Sequence, residues 1–120
     1  KTALATMSYC DQVSHILKVL NFEDEFDFVA TRDDVEHGKP DPEIYELVAR
    51  HLELAPDEVL VIEDSLSGVK AGLAAGMHVI AVTTPYTKQA IHEANILDAD
   101  CVIDEPEKLM DAVHHFTSVL

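Results

Sequence analysis

Val59-Leu60-Val61-Ile62-Glu63-Asp64-Ser65-Leu66-Ser67-Gly68-Val69-Lys70-Ala71-Gly72 is the stretch whose reading decides the fold. Its leading aliphatic run has the form of a strand covered on both faces, as a central strand of a parallel sheet must be. The run stops abruptly at Glu63 and Asp64, just past the carboxyl end of the strand, where such a sheet opens toward ligand. Successive strand residues point to opposite faces, so both acids reach one site only if the strand breaks at about Glu63. Ser65 supplies that break as a helix N-cap. Two adjacent carboxylates repel unless a cation lies beside them, and Mg²⁺ takes one or two carboxylates while leaving its other positions to water and phosphate oxygens. Acids also suit the positive end of any helix, so the pair gains meaning from the residues around it.

Downstream, the helix carries Gly68, Ala71, Gly72, Ala74 and Ala75, small residues that let it lie close on a sheet, with Gly76 as its stop. Met77 to Val82 is the next strand, Tyr86 to Asn95 a weaker helix, Asp100 to Ile103 a short edge strand, and Glu105 to Leu120 a closing helix with Leu109, Val113 and Phe116 inward. Upstream, Thr2 to Met7 reads as a strand ending in the hydroxyls of Thr6, Ser8 and Tyr9. From Asp11 to Leu20, the residues Val13, Ile16, Leu17 and Leu20 share one apolar helix face. An acidic, solvated link leads into the strand Phe28 to Ala30.

Between these halves lies Gly38-Lys39-Pro40-Asp41-Pro42. The prolines stiffen it and block helix on its upstream side. Asp41 reads as an N-cap and Pro42 as the first helical residue of a segment running to Leu52, with Ile44, Leu47, Val48 and Leu52 inward. Lys39 is thereby held just outside a helix start, a natural place for a phosphate clamp. Strands alternating with helices imply an α/β fold, a Rossmann-like parallel sheet with helices on both faces.

The chain has 120 residues, enough for one domain, and 8 basic residues against 23 acidic ones, for a formal charge of −15. Such a charge argues against nucleic acid or an anionic membrane as partner. An anionic substrate then needs a local cation. Cys10 and Cys101 form neither a metal-type pair nor a disulfide framework, and reduced thiols point to the cytoplasm. The seven histidines are scattered without metal-ligand spacing. No long apolar span occurs, and Lys1 is not an initiator methionine, so an upstream segment is expected.

Three separated pieces resemble one family, the haloacid dehalogenase superfamily, in its group of β-phosphoglucomutases and phosphoglycolate-type phosphatases. They are Leu4-Ala5-Thr6-Met7-Ser8, Gly38-Lys39-Pro40-Asp41-Pro42-Glu43-Ile44-Tyr45, and Val61-Ile62-Glu63-Asp64-Ser65 continuing through Gly68 to Ala75-Gly76-Met77, similar to the second, third and fourth family motifs in order. The resemblance implies that Thr6 hydrogen-bonds a transferring phosphoryl group, that Lys39 neutralises it, and that Glu63 and Asp64 hold Mg²⁺, Glu63 through a water. Ser8 matches a hydroxyl position in the substrate site. Met7 stands where a smaller residue is frequent.

The family nucleophile, an aspartate in Asp-x-Asp after an earlier strand, has no counterpart here, since Asp98-Ala99-Asp100 precedes a strand instead of following one. By the resemblance, that strand lies at the sheet centre between residues 2–7 and 58–63, with a cap domain inserted after it. The 120 residues then form the C-terminal portion of the core. The parent is expected to be a Mg²⁺-dependent phosphatase or phosphomutase acting on a small phosphorylated metabolite through an aspartyl-phosphate. The isolated chain is expected to be inactive and to self-associate or pair with the missing segment, because its open strand edges invite partners. The competing expectation is a non-catalytic binding or regulatory module. A phosphoacceptor signalling domain fits poorly, because no strand ends in a lone acceptor aspartate with Thr and Lys following.

Overall fold

In the computed structural model, which describes residues 1–118, strands and helices alternate: β1 (Ala3–Ala5), α1 (Cys10–Leu20), β2 (Phe28–Ala30), α2 (Glu43–Leu52), β3 (Leu60–Glu63), α3 (Leu66–Ala74), β4 (His78–Val82), α4 (Lys88–Ala94), β5 (Val102–Ile103) and α5 (Leu109–Ser118). Every strand pairing is parallel, in one sheet of order β1-β2 and another of order β3-β4-β5. The last two residues of the closing helix read from sequence lie outside the described residues.

Local chemistry sets the boundaries. Ser65 caps α3, its Oγ accepting the Gly68 amide at 3.1 Å. The other end of α3 closes in a Schellman pattern, with Gly76 at φ 80° and the amides of Gly76 and Met77 donating back to Leu73 and Gly72. α2 starts one residue later than expected: Pro42 is the cap, and Asp41 stands outside it with Oδ1 accepting the Glu43 amide at 3.0 Å. The edge strand β5 is shorter than the expected 100–103 because Ala99–Cys101 wind into a 3₁₀ turn.

The core lies between α2, α3 and the strands, with Ile44, Val69 and Ile80 fully enclosed. Close approach of α3 depends on Gly72, where a Cβ would come within 2.7 Å of Val79 Cγ2. α2 packs on β1, β2 and α3 and so joins the two sheets. A packing expectation also fails. α1 buries Val13, but Ile16 and Leu20 are 52% and 53% exposed, because a sheet only two strands wide covers a single strip of the helix.

Between the sheets runs a slot. β1 and β3 face each other across a cavity of about 490 Å³, with Tyr45, Val48 and Leu52 of α2 along its lining. Among the described residues, neither strand has a partner on that side, and Ile62 is 49% exposed there.

Candidate active site

At the carboxyl ends of β1 and β3 is a cleft of about 550 Å³, lined by Thr6, Met7, Lys39, Glu63, Asp64, Ser65, Ser67 and Val82 among others. Thr6, Lys39, Glu63 and Asp64, far apart in sequence, meet there. Ser8 does not line the cleft. Its amide donates to Thr6 Oγ1 at 3.1 Å and its carbonyl accepts the Arg32 amide at 3.0 Å, so it shapes the turn that presents Thr6.

The loop that carries Lys39 is tied from two sides. Arg32 donates to the carbonyls of Val35 and Glu36 at 2.7 and 3.2 Å. Glu43 accepts the amides of Glu36 and His37 at 2.9 and 2.8 Å. Those amides, Glu36 first and His37 second, hold the Glu43 carboxyl below its ordinary range. Such ties offset the entropy of ordering a loop and give the lysine a defined origin.

From that origin the Lys39 side chain crosses the upper end of the slot. Its Nζ donates to the carbonyl of Ala5 on β1 at 3.3 Å and to Glu63 Oε1 on β3. Lys39 and Glu63 are only 11% and 8% exposed, so each is the other's compensation for lost water. Glu63 Oε1 also accepts the Tyr45 hydroxyl, and the Lys39 ammonium stands 5.1 Å from the centroid of the Tyr45 ring. Burial raises the Tyr45 phenol far above its usual range, and the hydrogen bond and charge of Glu63 raise it further. The phenol therefore stays protonated and donates.

Glu63 lines the cleft as the sequence reading expected, but the strand breaks one residue later than expected. β3 continues through Glu63, which pairs in register with Ala81, and the chain turns only afterwards. Strand alternation sends Glu63 inward with Val61, while Asp64 remains exposed. Gly68 makes this possible, since any Cβ there would collide with the Glu63 carboxylate. Among the described residues, no hydrogen bond or ion pair engages the Asp64 carboxylate, and no three His, Cys, Asp or Glu side chains converge as a metal cluster. Tyr45 and Gly68 are the contributors that sequence reasoning did not single out. Tyr45 carried a signal in its helical spacing to Val48, Ala49 and Leu52, all buried.

A threonine hydroxyl, a held ammonium, an exposed carboxylate and the N-terminus of α3 surround one cleft at the strand ends of an α/β fold. The family model of haloacid dehalogenase-like hydrolases matches residues 1–82. The chain belongs to that family. It is 36% identical over 118 residues to the phosphorylated carbohydrates phosphatase of Thermotoga maritima, covering 94% of this chain and 51% of the relative. To hexitol phosphatase A of Escherichia coli it is 46% identical over 67 residues, 56% of this chain and 31% of the relative. Among solved structures, CbbY of Rhodobacter sphaeroides in complex with xylulose-(1,5)bisphosphate superposes with a TM-score of 0.74 at 32% identity, over 86% of this chain and 45% of that one. The chain thus spans about half or less of the length of these relatives. No helix of the described residues is long and apolar enough to cross a membrane.

Proposed function

We propose that these residues are the clamp and metal-binding portion of a Mg²⁺-dependent phosphohydrolase or phosphomutase, acting on a small phosphorylated metabolite of the sugar-phosphate kind. The reading rests on the convergence of Thr6, Lys39 and Asp64 on one cleft beside an unfilled slot. Relatives named as phosphatases of phosphorylated carbohydrates and hexitols support the substrate class. The slot is bordered by β1 and β3, each without a pairing partner on that side among the described residues, which fits an upstream strand bearing the nucleophilic aspartate.

In this reading the residues divide the work. Thr6 Oγ1 is already an acceptor for the Ser8 amide, so its own proton is available to a phosphoryl oxygen. Lys39 has three N–H donors, two of them committed to Ala5 and Glu63, and the third is left for the anion. The N-terminus of α3 at Ser65 adds its positive end to the cleft wall. Asp64 is an exposed hard oxygen donor and fits Mg²⁺, with the Glu63 charge behind it; the bound ion would neutralise charge on the phosphoryl oxygens. The aspartate supplied in the slot forms the new P–O bond as the ester P–O bond breaks. A second carboxylate protonates the leaving alkoxide, and water later cleaves the aspartyl-phosphate.

The test is an NMR titration of the 120-residue chain with inorganic phosphate and Mg²⁺, alongside phosphate-ester turnover. Shifts centred on Thr6, Lys39 and Asp64 that disappear in Lys39→Ala and Thr6→Val, without turnover, are expected. Shifts elsewhere, or none, would overturn the site. Turnover by the chain alone would overturn the assignment of the nucleophile to a slot strand, and phosphate binding without turnover in a longer chain that fills the slot would select the non-catalytic reading.

A further inference from the structure

We propose that Tyr45 is a positioning residue for Lys39, aiming the ammonium through a shared carboxylate oxygen and through its own ring. The inference deepens the reading of Lys39 as the anion clamp. Tyr45 is buried in the first turn of α2, six residues along the chain from Lys39. Its hydroxyl donates to Glu63 Oε1, the same oxygen that receives Lys39 Nζ. The ring lies 5.1 Å from that Nζ, within cation–π range. Two of the three N–H bonds go to Glu63 and to the Ala5 carbonyl while the aromatic face flanks the ammonium, which leaves the third N–H for the cleft.

The phenol has a particular share in this. A buried carboxylate needs donors for its lone pairs, and Glu63 has two, Tyr45 and Lys39. With the phenol removed, the carboxylate depends on the ammonium alone and is free to pivot with it. The third N–H then loses its direction. Gly68 closes the other side of the carboxylate, so the pivot runs toward the position the Tyr45 hydroxyl vacates.

The experiment follows the Lys39 ammonium in the ¹⁵N-lysine-labelled 120-residue chain, using the hydrogen-exchange rate of its NH₃⁺ signal, with melting curves recorded for each variant. Tyr45→Phe keeps the ring and removes the hydroxyl, and should raise Lys39 exchange about tenfold or more, the equivalent of one hydrogen bond to a charged group. Tyr45→Leu should raise it further, since the ring is lost as well. In a Glu63→Ala background, which removes the shared acceptor, Tyr45→Phe should add little, because the phenol acts through Glu63. A merely structural role would instead change melting and leave exchange at matched stability untouched. Unchanged exchange in a folded Tyr45→Phe chain overturns the proposal. Should that variant fail to fold, the wild-type chain still decides: a slowly exchanging Tyr45 hydroxyl proton with a nuclear Overhauser contact to the Lys39 side chain supports it, and absence of that contact overturns it. Inorganic phosphate provides the separating arm. Phosphate that leaves wild-type Lys39 unmoved, while Tyr45→Phe still frees the ammonium, sinks the clamp reading and keeps the positioning role; the reverse pattern sinks the positioning role alone.

Discussion

Replacing Gly68 by alanine pits helix propensity against packing, and the structure says which prevails. Gly68 lies inside α3, where an alanine should gain about 1 kcal/mol. The added methyl, however, would collide with the carboxylate of Glu63, which sits directly beneath it. Overfilling a packed site by one carbon costs about 1–3 kcal/mol. Pushing Glu63 away from Lys39 and Tyr45 adds part of the roughly 3–5 kcal/mol by which a broken buried ion pair destabilises. Taken together, the substitution should cost a net 2–4 kcal/mol, roughly. For a chain of this size that lowers the melting temperature by about 8–16 °C. Urea denaturation of wild type, Gly68→Ala, Glu63→Ala and the double variant measures it. Once the carboxylate is gone the methyl has room, so in the Glu63→Ala background Gly68→Ala should become neutral or stabilising by about 1 kcal/mol. Gly72→Ala is the control, because its Cβ would press on Val79, and its cost should persist in both backgrounds. Stabilisation of wild type by Gly68→Ala, or an equal loss with and without Glu63, would refute the reasoning.

Two further outcomes follow from the ties around the cleft. The Glu43 carboxyl is depressed by the amides of Glu36 and His37, so its contribution is present above the unfolded-state value of about 4.3 and lost as pH falls through the lower folded value. The melting-temperature gap between wild type and Glu43→Gln should therefore be full near about pH 6 and close on acidification toward about pH 3; a gap that widens in acid would contradict the assignment. Ser65→Ala removes the acceptor of the Gly68 amide and should cost about 1 kcal/mol in urea denaturation, with Ser65→Asp recovering most of it.

Much of this arrangement was written in short-range chemistry. The aliphatic run before Glu63, the Ser65 cap and the Gly76 stop are local choices, and each element they imply is present. Lys39 could be placed because proline and loop chemistry act within a few residues. The inward turn of Glu63 was missed for want of one step of alternation: Val61 is buried and Ile62 half-exposed, so continued pleating already puts Glu63 inside. Tyr45 could be assigned to the buried face of α2, but the acceptor of its hydroxyl is 18 residues away on another element. No periodicity reports a partner at that distance. Exposure of Ile16 and Leu20 was likewise out of reach, since helical spacing marks an apolar face without saying how wide the sheet beneath it is.

Lys39 reaches from the Ala5 carbonyl on one sheet to Glu63 on the other, and that makes it a fastening as well as a charge. In the proposed function, an anion on the third N–H would share its ammonium with the two bonds that hold the halves of the molecule in mutual alignment. By thermodynamic reciprocity, whatever tightens the alignment of the sheets also changes the grip on the anion, and by the same factor. Ligand affinity and the mechanical stiffness of the fold are then two readings of a single contact.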